Sequence, residues 1–463
     1  MDPDLIFYGV LGFAWIEFLW EAYLSHRQRR VYATHTHLPA QLTSIMSAET
    51  FEKARSYALD KSRFGAVEGI FSQVLSTALM WFLAFKHVWS FSGDFLDKQG
   101  YKAEENEILR SIVLTVIFNV FNTIIGLPFS VYSTFVLEEK HGFNKQTVGF
   151  FIKDKIKSFI ISQAIMIPLL AVVIKIIQEG GDYFFVYLWG FILVFTMFMM
   201  VIYPEFIAPL FDKYTPLPEG DLRHKIEELA ASIDFPLYKL FVVEGSKRST
   251  HSNAYFYGFF NFKRIVLFDT LLEASEREKL KSDEDKQKEK EEDANQNEEE
   301  RKKKEEEKTK GCTTDEILAV LGHELGHWKL NHVLKNILIS QVHIFLMFAL
   351  FGYLFKYQPL YTAFGFPQQT PILMGLMIIM QYITAPYNAL LNFLMTCLSR
   401  RFEFQADEFA QGLGKSKDLK TALVKLQNDN LSFPIFDKLY TAWHHSHPPL
   451  LERLEALEDK KQK

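Results

Sequence analysis

The apolar residues of this chain gather into runs long enough to cross a bilayer, and that restricts the folds open to it. A spanning helix needs roughly 20 mostly apolar residues, because hydrocarbon offers no partner for an unpaired backbone N–H or C=O. Stretches 4–24, 66–92, 108–132, 158–178, 182–210, 333–356 and 371–398 all qualify. The first begins Met1-Asp2-Pro3-Asp4, and its basic cluster (Arg27, Arg29, Arg30) follows the apolar run, so it reads as a retained span rather than a cleaved leader. Glu17, Glu21 and Lys175 fall within these runs and are expected to face protein or a watery cavity, or to snorkel from near an end. Pro128, Pro168, Pro204 and Pro386 lie in or near spans, where neighbouring helices can satisfy the carbonyls they free. The expected class is therefore a mainly α, polytopic membrane protein with seven spans.

Lysine and arginine alternate between the connecting loops. The 25–65 loop is strongly basic and 133–157 carries five lysines, while 93–107 has only Lys98 and Lys102 and the turns near 179–182 and 357–370 have none. The positive-inside rule then puts the N-terminus on the lumenal side and the C-terminus in the cytosol. Net charge is only −5, which gives no basic field and no case for nucleic-acid binding. The 44 Phe and 19 Tyr suit side chains that meet lipid and its interfaces. Cys312 and Cys397 do not read as a disulfide framework.

The organisation that follows is 1–210 as spans one to five with their loops, 211–332 as a cytosolic segment, 333–398 as spans six and seven, and 399–463 as a cytosolic C-terminal segment. In the first cytosolic segment 220–233 reads as a short amphipathic helix. Leu240–Val243, Ala254–Tyr257 and Ile265–Phe268 are β-rich and predict a small antiparallel sheet or hairpin. Residues 276–310 are almost wholly charged or polar and read as a disordered insertion, with a bare acidic-basic helix as the alternative.

The chemistry concentrates at His323-Glu324-Leu325-Gly326-His327. On a helix, imidazoles four residues apart stand on one face and can bind one metal ion, with Glu324 beside them to take a proton from water. The plain alternative is an amphipathic helix with two incidental histidines. A catalytic zinc keeps three protein ligands and one open position, so a third ligand must come from elsewhere. In Arg400-Arg401-Phe402-Glu403-Phe404-Gln405-Ala406-Asp407, Glu403 and Asp407 also share one helical face. Glu403 could bind zinc while Asp407 holds a ligand imidazole; the alternative is a solvated helix with Arg–Glu pairs. His251-Ser252-Asn253-Ala254-Tyr255 could form an edge strand that pairs with an extended peptide, or an ordinary hairpin. A histidine of His444-His445-Ser446-His447-Pro448-Pro449 could stabilise an oxyanion, or the stretch is a polar turn before a last helix.

Taken together, HELGH, RRFEFQAD, SNAYFYGFF and SHPPLLERL, with Glu138–Asn144 and Ala208–Lys213, resemble the CaaX prenyl protease 1 family over nearly the whole chain. These are integral-membrane zinc endopeptidases of the endoplasmic reticulum and inner nuclear membrane, which process prenylated proteins such as yeast a-factor precursor and prelamin A. The resemblance implies seven helices around a large chamber and one zinc per chain held by His323, His327 and Glu403. It implies Glu324 as general base, Asp407 in support, Asn253 on the substrate-lining strand, His447 as transition-state stabiliser and Arg453 supporting the site. It further implies removal of the last three residues after a prenylated cysteine, with prenylated CaaX proteins and the lipid membrane as partners, and links the chain to a second upstream cut. A general membrane quality-control protease is the rival within the enzyme class. A non-enzymatic scaffold is disfavoured, because a structural zinc site has no use for Glu324. The tail Lys460-Lys461-Gln462-Lys463 fits a dilysine retrieval signal or a frayed basic end.

Overall fold

The computed structural model describes residues 1–258, 262–280 and 310–458. Most of the 276–310 insertion and the 460–463 tail lie outside the described residues. Helices dominate: α1 (Pro3–Thr34), α2 (Ala48–Trp81), α3 (Ala84–Lys98), α4 (Glu107–Tyr132), α5 (Val148–Glu179) and α6 (Phe184–Ile202) form the N-terminal half. A sheet-bearing segment that includes α7 (Asp221–Ser232) follows, and after it come α8 (Thr314–Lys329), α9 (His332–Leu354), α10 (Ala385–Gly412), α11 (Ser416–Asp429), α12 (Lys438–His444) and α13 (Leu450–Ala456).

Five helices are long and apolar enough to cross a membrane, or up to seven if each bent pair counts as one span. Many of their large apolar side chains remain exposed, among them Ile16, Leu19, Ile160, Val194 and Leu338, as helices in contact with lipid can be. The bent pairs explain the two interrupted runs. α2 and α3 meet at 61°, and Leu83 between them is left-handed with φ of 49°, which ends the helical ladder. Ile372–Ile383 meets α10 at 56°, where Pro386 at the start of α10 lacks the N–H that would continue the preceding helix. The expected 25–65 loop is corrected here: α1 runs on to Thr34 and α2 begins at Ala48, so most of that basic stretch is helical. Apolarity marks where a span leaves lipid, but Arg and Gln are good helix formers and carry the helix onward.

The sheet is also different from the expected antiparallel one. Its order is β1 (Tyr214–Pro216), β2 (Leu237–Val243), β4 (Lys263–Phe268), β3 (Ala254–Tyr257). β3 and β4 form the antiparallel hairpin and β1 pairs antiparallel with β2, but β2 and β4 run parallel. The connection after β2 crosses over before β3, which returns β4 in β2's direction and leaves β3 at an edge.

α8 is the hub of the soluble part. Thr313 and Glu316 cap it reciprocally: the Glu316 carboxylate accepts from Thr313 N at 2.8 Å, and Thr313 Oγ1 accepts from Glu316 N at 3.5 Å. Ile317, Leu321 and Leu325 pack with Leu222 and Ile226 of α7, Ile265 and Leu267 of β4, and Ala422 of α11. Each large side chain buried there stabilises by about 1.5–3 kcal/mol. The helix is buried on nearly every side from Glu316 to His323, so it is not a surface amphipathic helix. Its closest neighbour is α10. A Cβ added at Gly326 would stand 3.1 Å from Phe409 Cβ and 3.2 Å from Ala406 Cα, so glycine there sets how near the two helices come.

Gly326→Ala is expected to lower the thermal midpoint of the purified protein, because the backbone of α10 must shift at a cost of about 1–3 kcal/mol. Gly149→Ala in α5, where a Cβ meets nothing within 4 Å, is the control and should leave the midpoint unchanged or raise it. Equal midpoints for the two variants would contradict this account of Gly326.

Candidate metal centre

α8 and α10 bring the predicted ligands together. His323 Nε2 and His327 Nε2 are 3.3 Å apart; Glu403 places Oε2 at 3.4 Å from the first and Oε1 at 3.3 Å from the second. The three ligand atoms lie within 4.8 Å of one another. Glu403 Oε2 is buried with no hydrogen-bond partner among the described residues. A buried carboxylate oxygen left unpaired is costly, and two nitrogens with one oxygen suit a zinc-type cation with a position left open.

The far ring nitrogens are held as well. Asp407 Oδ1 lies 2.8 Å from His323 Nδ1, so His323 donates there and its Nε2 is turned toward Glu403. Arg453 in turn fixes Asp407 with a two-point contact, Nε to Oδ2 at 2.9 Å and Nη2 to Oδ1 at 2.6 Å. Burial disfavours a charged His323, but Asp407 and Glu403 outweigh it and push the imidazole up to about 9. The cluster thus attracts positive charge even as a proton. Glu324, next along α8, is partly buried, and that burial raises its carboxyl above the usual range, which favours accepting and returning a proton.

His332 was not singled out in the sequence and completes the arrangement. Its Nδ1 is 2.9 Å from His327 Nδ1, its Nε2 is 3.0 Å from Gln405 Oε1, and its ring stacks on Phe402 at 4.0 Å. Gln405 Oε1 can only accept, so His332 donates from Nε2 and accepts at Nδ1. His327 then donates from Nδ1 and keeps its Nε2 lone pair for the cation. Helical periodicity does not find His332, because Asn331 before it is left-handed with φ of 57° and turns the chain from α8 into α9. The available signal is only a third histidine shortly after the motif.

His447 reaches the rim: its Nε2 is 3.3 Å from Glu403 Oε1, while the side chain is 69 % exposed. Asn253 stands apart from the hydrogen-bonded cluster. It is exposed just before β3; its carbonyl accepts from Phe268 N at 3.0 Å and its Oδ1 from Ala254 N at 2.8 Å. β3 itself lies beside α8, the helix that carries His323 and His327.

Comparison with known proteins bears on this geometry. Residues 28–213 match the family described as CAAX prenyl protease N-terminal, five membrane helices, and residues 216–461 match peptidase family M48. A mouse protein named CAAX prenyl protease 1 homolog is 54% identical over 457 residues, covering 99% of this chain and 96% of its own length. The human protein of that name is 54% identical over 459 residues, with the same coverage of 99% and 96%. CAAX prenyl protease 1 of Saccharomyces cerevisiae is 36% identical over 97% of this chain and 94% of its own. The crystal structure of S. mikatae Ste24p superposes with a TM-score of 0.85 at 35% identity, covering 99% of this chain and 100% of that one.

His332→Ala is expected to weaken zinc binding by about 10–100-fold in a competition titration with a chelator, because His327 loses the group that fixes its ring. An unchanged affinity would mean that His327 is oriented without His332.

Proposed function

The chain belongs to the CaaX prenyl protease family within the M48 metalloproteases, and from that membership we propose that it is a zinc-dependent endopeptidase removing the last three residues of prenylated CaaX proteins. The observation that carries the reading is the convergence of His323, His327 and Glu403 within 4.8 Å, with an unpaired buried carboxylate oxygen and Glu324 alongside. The multi-pass protein would act in the endoplasmic reticulum and inner nuclear membranes, with the metal centre toward the cytosol and the N-terminus lumenal. A second, upstream cut of the same substrates is part of the proposal.

His323, His327 and Glu403 would hold zinc, which would supply Lewis acidity when bound. The chain's own residues do the rest. Glu324 takes the proton of the attacking water and returns it to the leaving amine, and its raised proton affinity suits both steps. His447, exposed beside Glu403, donates to the developing oxyanion. Asp407 and Arg453 keep His323 turned toward the ligand position, and Gln405 and His332 do the same for His327. Asn253 and the edge of β3 align the peptide in extended form.

The prenyl group needs an apolar wall. A cavity of about 1280 Å³ provides one, lined by Ile161, Ile165, Met199 and Met200 from the spans and by Phe256 and Trp328 near the cluster. Removing a farnesyl chain from water into such a wall is favourable by about 0.8 kcal/mol per buried methylene.

Glu324→Gln is expected to retain zinc and fold while lowering kcat by about 10²–10⁴-fold. The test compares matched CaaX peptides, farnesylated and not, with and without a chelator. Chelator-sensitive release of the terminal tripeptide from the farnesylated peptide alone is the expected result. Equal release from both would move the function to general membrane proteolysis, and full activity of Glu324→Gln would remove the proposed base.

A further inference from the structure

Two cavities border the ends of β3, and they differ in charge. On the apolar side, Arg248 is already neutralised by Asp154 at 2.8 Å and Asp212 at 2.6 Å, and Lys263 donates to the Gly258 carbonyl at 2.7 Å. The other cavity, about 1010 Å³, lies between α1, α2 and the segment from Asn430 to His445. Among the described residues its lining cations are Arg29 and Lys61, against one lining carboxylate, Glu21; His26 and His251 also line it, and burial holds the His445 imidazole down to about 4, so that it carries no charge. Glu21 is committed: it accepts from Trp443 Nε1 at 2.7 Å and pairs with His444 at 3.1 Å.

Arg29 is held in place but not neutralised. Its Nε donates to Ser62 Oγ at 3.1 Å and its Nη2 to the Ser62 carbonyl at 2.9 Å, and both partners are uncharged. Lys61 bonds Tyr57 Oη at 3.4 Å; Tyr57 itself donates to Glu138 at 2.8 Å, and Glu138 stands 3.9 Å from His251. The cavity is therefore a partly enclosed space with a positioned guanidinium at Arg29, while Lys61 lies in the field of Glu138 and is partly offset by it.

It also adjoins the reaction centre. His445 is two residues from His447 at the rim of the cluster, and His251 is two residues from Asn253 at the start of β3, so each is within roughly 7 Å of chain from the cluster rim or from the strand edge. A peptide adding to the free edge of β3 pairs more stably antiparallel than parallel. Its C-terminus then points toward the N-terminal end of β3, where His251 and the cationic cavity lie. The residue before the scissile bond points the other way, toward the apolar cavity. Three residues beyond the cut span roughly 10 Å when extended.

We propose that this second cavity binds the free α-carboxylate of the substrate's last residue, with Arg29 as the principal cation and Lys61 as a second. The inference rests on the prenyl-protease reading of the same site and adds how the chain end is measured. Arg29 acts on specificity: it recognises the terminus and takes no part in bond cleavage.

The experiment uses the full-length protein with two farnesylated CaaX peptides, one ending in a carboxylate and one in a carboxamide. The expected kcat/KM ratio, acid over amide, is about tenfold or more, the value of a charge-assisted hydrogen bond. Arg29→Gln should bring that ratio toward one, and Arg29→Lys should restore most of it. Lys61→Gln should lower it in part, and serves as the second variant if Arg29→Gln does not fold. Equal cleavage of acid and amide by the unmodified protein overturns the carboxylate site while leaving the protease reading intact. A loss of both rates at constant ratio in Arg29→Gln overturns it in favour of a structural role. Cleavage of neither peptide overturns both readings together.

Discussion

The site depends on the close approach of two helices with different obligations. α8 is the buried centre of the soluble part, and α10 continues a broken membrane span. Between them sits Gly326, whose missing side chain lets Ala406 and Phe409 come near enough for Glu403 to reach both imidazoles. Two imidazole lone pairs and a carboxylate brought together without a cation would repel and leave the carboxylate oxygen unpaired. The packing of the two helices therefore supplies the energy that holds a cation site open.

Orientation is then fixed from both sides. Asp407 and Arg453 serve His323, while Gln405 and His332 serve His327. Glu403, Gln405 and Asp407 occupy one short stretch of α10, so a single helix provides the carboxylate of the cluster and two of the groups behind its imidazoles. Because that helix is continuous with a membrane span, the chemistry is held close to the lipid face. An apolar prenyl group anchored in lipid or in the apolar cavity would meet the cluster without leaving its preferred surroundings.

Much of this was legible from local patterns. The spacing of His323 with His327 and of Glu403 with Asp407 places each pair on one helical face, and the structure keeps both faces together. The apolar runs marked the spans because bilayer thickness dictates their length. What escaped were features set by tertiary geometry. His332 follows a left-handed Asn331, so no helical repeat joins it to His327. The parallel pairing of β2 with β4 depends on a crossover that strand patterns do not encode. The bends at Leu83 and before Pro386 split runs that hydropathy shows as continuous. Arg453, Asn253 and His447 were nominated by family resemblance; contacts now join Arg453 and His447 to the cluster, while Asn253 stands at the strand beside it.

The most direct test is anomalous diffraction at the zinc absorption edge from crystals of the purified protein. The account predicts one strong peak per chain, about 2.0–2.2 Å from His323 Nε2, His327 Nε2 and a Glu403 carboxylate oxygen. A fully occupied peak elsewhere, or ligation that excludes Glu403, would contradict it.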